Sequence, residues 1–402
     1  MSGLSDHKMN IVRSLVGQAN DAVVGNLQQA LAGAEDDTAL AGVRRLVEAE
    51  VADRRLRNAI LSPVAPLFSA DSKSGRQPFP PKILSMLWRA LKAEAPDEVA
   101  AASRLLGDYQ PDQASLEPLD ELTARLAEGL RTLEPPGYQD VHDLLEKVRP
   151  GGVQDLIACL ALGPTVREAT MKLPDWIART TDESAAAARL AYKDAVAIAE
   201  DNGPRFFEML SAQMAQPWMV LRVISAVMDH PTEAYLAGSE LSVFAERLLD
   251  DIDRNLEHID RFDLNGGPAA GRKAGAIVDL VTHQISELEG SIELTRDSGW
   301  GARIQKHRKS LAGVVEGRLR EIEKVVSAAL PTHSIRVGRS NRSVPRLTGD
   351  PDGRAVDRAV TLLTFAEAIR TSANYGGFAA TRAKVVEAIG RASCRERVYA
   401  CV

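Results

Sequence analysis

Two stretches carry residue types whose spacing could do chemistry. Gly266-Gly267-Pro268-Ala269-Ala270-Gly271-Arg272-Lys273 has glycines spaced like those of a loop that cradles phosphate. Such a loop needs Lys directly after its last glycine, to reach the β and γ phosphates, then Ser or Thr for magnesium, and a strand in front. Here Arg272 and Lys273 hold those two places and a charged helical segment precedes. A glycine-rich turn between helices is the expectation instead. Asp279, His283 and Glu287 stand at i, i+4 and i+8, so on a helix they share a face and could ligate a metal. The apolar row of the same segment, Val281, Ile285, Leu288 and Ile292, points elsewhere, and no second segment offers matching acids or histidines. The row is therefore expected to be solvated, with no metal or cofactor bound. Gly-x-Ser-x-Gly, His-Glu-x-x-His and Cys-x-x-Cys spacings are all missing from the sequence, so no catalytic residue is assigned.

Charge is distributed unevenly. Residues 300–349 contain eleven Lys or Arg and three acids, a net of +8 in a chain whose total is −6. Arg303, Lys306, Arg308, Lys309, Arg336, Arg339, Arg342 and Arg346 are the candidate partner contacts, because a basic stretch on an acidic protein suits an anionic surface. The competing expectation is intramolecular, with these cations resting on acids such as Asp250, Asp251, Asp253, Glu257 and Asp260. Nucleic acid is the less suitable anion. Aromatics are only 4% of the chain, so base stacking is poorly served, and the overall negative charge opposes phosphate.

The elements that must position these residues read as helices. Low aromatic content and abundant Ala favour an all-α fold, a multi-helix bundle with an irregular helical array. Ser5 can cap a first helix striped by Ile11, Leu15, Ala19, Ala22, Val23 and Leu27, ending at Gly33. Asp36 and Asp37 open a second, so residues 1–61 are expected to form a helical hairpin. Residues 62–81 are a Pro/Ser-rich loop and a candidate hinge. Residues 82–230 then break into short helices capped at Asp97, Ser115 and Asp182 and punctuated at Pro135-Pro136-Gly137, Pro150-Gly151-Gly152, Gly163-Pro164 and Gly203-Pro204, with no fixed repeat. Residues 239–330 carry three near-heptad stripes, which predict an antiparallel three-helix bundle. A basic linker, 331–353, and a C-terminal helical pair, 354–389, follow.

Residues 390–402 lose the helical pattern without a cap and hold two of the three cysteines. They read as translated sequencing adapter rather than natural chain. Cys159 reads as a core residue, the N-terminus is too polar for a secretory leader, and no apolar run is long enough for a membrane span, so a cytoplasmic location is expected. Amphipathic helices without recognisable chemistry predict a scaffold, adaptor or regulator acting through protein–protein contacts. Residues 1–61 are the candidate surface for a homo-oligomer, because two helices bury little surface alone. The alternative is an enzyme with a pocket between helices of 82–230, lined by aspartates, Trp176 and Tyr192.

Overall fold

The structure, a computed structural model, describes residues 6–32, 40–69, 77–108, 116–178, 181–199, 201–329, 332–337, 342–347 and 352–387. Ser5, Gly33, Asp36, Asp37, Ser115, Arg339 and the tail 390–402 lie outside them. The fold is all-α as expected, with one antiparallel strand pair among the described residues. The chain divides into two compact units, Met1–Val220 and Leu221–Val402.

The first unit opens with three helices: α1 (Asp6–Gln18), α2 (Asp21–Ala32) and α3 (Ala41–Leu61). The expected two-helix hairpin is thus corrected, because the chain breaks at Ala19–Asn20. Asn20 starts α2 by accepting the Val23 N–H at 2.8 Å, the bond an N-cap side chain makes. The buried face also differs from the expected stripe. Val16, Val24 and Leu31 go inward with Val43 and Val47 of α3. Ile11, Leu15 and Val23 remain 47%, 62% and 51% exposed. Val12 and Val16 adjoin Ile11 and Leu15 in sequence, so apolar residues occupy two faces of α1. Periodicity alone had two solutions, and the fit to α3 selected one.

The unit continues with α4 (Pro81–Glu94), α5 (Pro96–Asp108), α6 (Glu117–Thr132), α7 (Gly137–Val148), α8 (Gly152–Ala178), α9 (Asp182–Ile198) and α10 (Asn202–Gln213). The candidate hinge at 62–81 has its described ends inside this unit. Val64, Leu67, Phe68 and Phe79 are buried, and the rings of Phe68 and Phe79 stand 5.2 Å apart. Helix α8 runs straight through Gly163-Pro164 and past Pro174, where the sequence suggested a break. An interior proline costs a helix about 3 kcal/mol. Burial of Leu156, Leu160, Leu162, Val166 and Leu173, each about 1.5–3 kcal/mol, outweighs it. Helix α9 is capped by Thr181 rather than Asp182, through a reciprocal bond pair with Ser184.

The second unit holds α11 (Val220–Met228, whose first residue closes the first unit), the short α12 (Glu233–Ala237), α13 (Ser242–Asp260), α14 (Gly267–Ser291), α15 (Gly299–Ala329) and α16 (Gly353–Ala368). The three stripes expected over 239–330 become α13, α14 and α15, but α16 joins them and makes the most extensive pairing of all, with α14. Gly271, from the stretch with phosphate-loop spacing, and Gly275 just beyond it explain that pairing. A Cβ at Gly271 would lie 2.3 Å from the Thr361 carbonyl oxygen, and one at Gly275 would lie 2.3 Å from the Ala368 Cβ. Gly271 and Gly275 are one turn apart, so bare backbone on one face of α14 lets α16 approach. Gly267 itself takes φ +67° at the helix start.

Within the span expected to be a linker, β1 (Thr332–Val337) pairs antiparallel with β2 (Arg342–Leu347). Ser334-Ile335-Arg336-Val337 alternates polar and β-branched residues, a short two-residue period masked by the surrounding Pro and Gly. Beyond α16 the chain turns and resumes helix over 379–387.

Candidate functional site

The buried charged side chains are where chemistry would reside, and four clusters of them stand out. In the first unit, Arg54 of α3 reaches the end of α1. Its guanidinium donates to the carbonyls of Val16 at 2.9 Å and Ala19 at 2.8 Å, and pairs with Asp21 at 2.8 Å and Glu50 at 2.7 Å. The last carbonyls of a helix lack intrahelical donors, so one side chain both terminates α1 and starts α2. Arg167 of α8 does the same for α3. It donates to the Ala59 and Ile60 carbonyls, to Thr123 Oγ1 at 3.0 Å and to Asp120 at 2.8 Å. Burial pulls the Arg167 pKa below the usual arginine value, against the pull of Asp120.

In the second unit the buried Glu233 plays the opposite part, at a helix start. Its carboxylate accepts N–H bonds from Thr295 at 3.0 Å, Trp300 at 2.6 Å and Gly301 at 3.4 Å. Those donors are at and just before the first turn of α15, where the helix dipole favours an anion. Gly299 has φ +55°, and a Cβ there would stand 1.9 Å from Glu233 Oε1. The fourth cluster joins α13 to α15. Asp253 bonds the buried His307 through Nε2 at 2.7 Å, and Arg303 spans Glu246, Asp250 and Asp253 at 3.1, 2.6 and 2.6 Å.

An aspartate orienting a histidine is half of a nucleophilic triad. Here the other ring nitrogen, Nδ1, is buried and has no hydrogen-bond partner among the described residues. It therefore faces no hydroxyl or thiol to activate. Burial, and secondarily the cations Arg303 and Lys306, push the His307 pKa below 6.5 despite Asp253. Burial raises Asp253, but bonds from Arg303 and His307 hold it below its ordinary value. The unfolded chain thus binds a proton at His307 more readily than the folded one. The stability His307 contributes is complete above pH 6.5 and declines as pH falls through that value, while Asp253 acts only below about pH 3.8. Denaturant midpoints between pH 7.5 and 5.5 are expected to fall more steeply for the native protein than for His307→Gln. Parallel slopes would refute this account of the histidine.

No family model, curated protein or solved structure matches this chain. The reading of the site therefore stands on its geometry.

The residues proposed from sequence are dispersed. Glu287 is not solvated as expected: it is buried, paired to Arg222 at 2.5 Å and bonded by Ser291. Arg222, a charge within the apolar 218–228 run, is the partner that sequence spacing did not reveal. His283 is exposed and bonds the Asp279 carbonyl, so the row is not a ligand set. No group of three or more ligating side chains gathers among the described residues. Of the candidate contact cations, Arg303 is spent on α13 and Arg308 pairs with Glu289; Arg318, outside that set, bonds the Asp260 carbonyl. Lys306 and Lys309 are exposed, with no ion pair among the described residues. In the strand register Arg336 opposes Ser343, Arg342 opposes Val337 and Arg346 opposes His333.

The enzyme alternative proposed Trp176 and Tyr192 in one cleft. Trp176 does line a cavity of about 490 Å³ between α8 and α9, with Lys172, Asp175 and Glu183. Tyr192 instead stacks on Phe207, ring centroids 5.3 Å apart, against the aromatic core of α10. Arg54, Arg167 and His307 were missed, yet each left a signal: a polar residue in an apolar row. Arg54 lies seven residues from both Val47 and Leu61, and His307 falls between Ile304 and Leu311. No helix among the described residues is long and apolar enough to cross a membrane.

Proposed function

We propose that this protein is a non-enzymatic helical scaffold or adaptor of the cytoplasm, acting through protein–protein contacts that its N-terminal helices make. The observation that carries this reading is on α1, where Ile11 and Leu15 sit one turn apart on an exposed face, distinct from the side that buries Val16. Anchors at i and i+4 are how an amphipathic helix enters a partner's groove. The buried ionisable groups add support, because Arg54, Arg167 and Glu233 are engaged in holding helix ends rather than facing a cavity.

Self-association is the form of this reading that needs no second protein. Sedimentation of the full chain is expected to show mass rising with concentration. The double variant Ile11→Asp, Leu15→Asp should stay monomeric while keeping its thermal midpoint, since neither side chain belongs to the core. A native chain that is monomeric at every concentration, or a variant that associates equally well, would defeat the self-association reading.

A further inference from the structure

A cavity of about 470 Å³ opens between α15 and α16 in the second unit, and the contact reading above does not use it. Its walls are part apolar, from Val325, Ala328 and Ala355, and part cationic, from Lys324, Arg354 and Arg358. Glu321 lines the space as well, but its carboxylate is engaged by Arg358 at 3.3 Å and by Arg318 at 3.5 Å. Asp352 also lines the space, but its carboxylate is turned to the Arg354 backbone N–H at 3.1 Å as the cap of α16. The side chains of Lys324 and Arg354 are exposed and have no carboxylate partner among the described residues. Lys324 and Arg354, two cations without a carboxylate partner beside a half-apolar hollow, raise the local concentration of anions and leave donors for them to bond.

We propose that this cavity is a binding site for a phosphate monoester, with Lys324 and Arg354 holding the oxyanion and the Val325–Ala328 wall taking the organic part. Guanidinium and ammonium donors suit a dianion better than a single carboxylate. The same chemistry is presented by a soluble phosphate ester and by a phosphatidate headgroup, and two probes separate them. Calorimetric titration of the full chain with phenyl phosphate tests the soluble source. Co-sedimentation with vesicles of phosphatidylcholine, with and without phosphatidate, tests the lipid source.

Binding to one probe is expected, and the variant Lys324→Glu, Arg354→Glu should weaken it by about tenfold or more, as two reversed charges in contact with a dianion require. The control Lys309→Glu alters the same helix about 22 Å away along its axis and should change affinity by less than about threefold. Unchanged thermal midpoints verify that the variants fold. The proposal is overturned if neither probe binds, or if Lys309→Glu weakens binding as much as the cavity variant does.

Discussion

Glu233→Ala is expected to destabilise the second unit by about 3–5 kcal/mol, the cost of taking one partner out of a buried charge-assisted set. Three backbone N–H groups, those of Thr295, Trp300 and Gly301, would lose their acceptor. They precede or open α15, the longest helix among the described residues, so their satisfaction decides where that helix starts. The same carboxylate belongs to a segment fixed by paired backbone bonds, Glu233 N–H to the Glu293 carbonyl at 2.9 Å and Glu293 N–H to the Pro231 carbonyl at 3.1 Å. Losing the side chain therefore loosens the segment between α14 and α15. Glu233→Gln keeps one acceptor oxygen and should cost roughly half as much. Chemical denaturation followed by tryptophan fluorescence measures both, with Trp300 reporting locally. A loss under about 1 kcal/mol for the alanine variant would mean that water replaces the carboxylate, and the clasp would not be structural.

Arg167→Ala should have a comparable effect on the first unit, again about 3–5 kcal/mol. The guanidinium joins α8 to the last turn of α3 and to Thr123 and Asp120 of α6. Thr123 Oγ1 also donates to the Ile60 or the Leu119 carbonyl, so three helices meet at one group. Truncation leaves the Ala59 and Ile60 carbonyls short of donors in a buried place, and no apolar contact compensates. Arg167→Lys keeps the charge but not the planar fork, and is expected to recover less than half of the loss. If lysine restores full stability, charge alone suffices and the forked geometry is incidental. Resistance to protease at the α3 end gives a second measure, since cleavage there follows local opening.

Much of this architecture was legible beforehand. Regular apolar rows such as Phe244, Leu248, Ile252 and Ile259, or Leu311, Val315, Leu319 and Ile322, fix helices and their inward faces, because one stripe per helix leaves one way to bury it. Where a helix had two apolar sides, as α1 does, the sequence could not choose. The choice depended on which side matched Val43 and Val47, residues that lie in another helix, beyond α2. The strand pair escaped notice because each strand is six residues long and set among turn formers.

The glycines at 271 and 275 show the same division. Gly271 stood out in the sequence only as part of a loop-like stretch, and the role of both glycines required the backbone of α16, which arrives almost a hundred residues later and fills the space a side chain would have taken. Composition and periodicity determined that this chain is helical and where most of its helices run, since those properties depend on neighbours one turn away. The partners of Arg54, Arg167, Glu233 and His307 were decided only by tertiary structure. A buried charge must be met by whatever the fold brings within hydrogen-bond distance, and that distance is measured in space rather than along the chain.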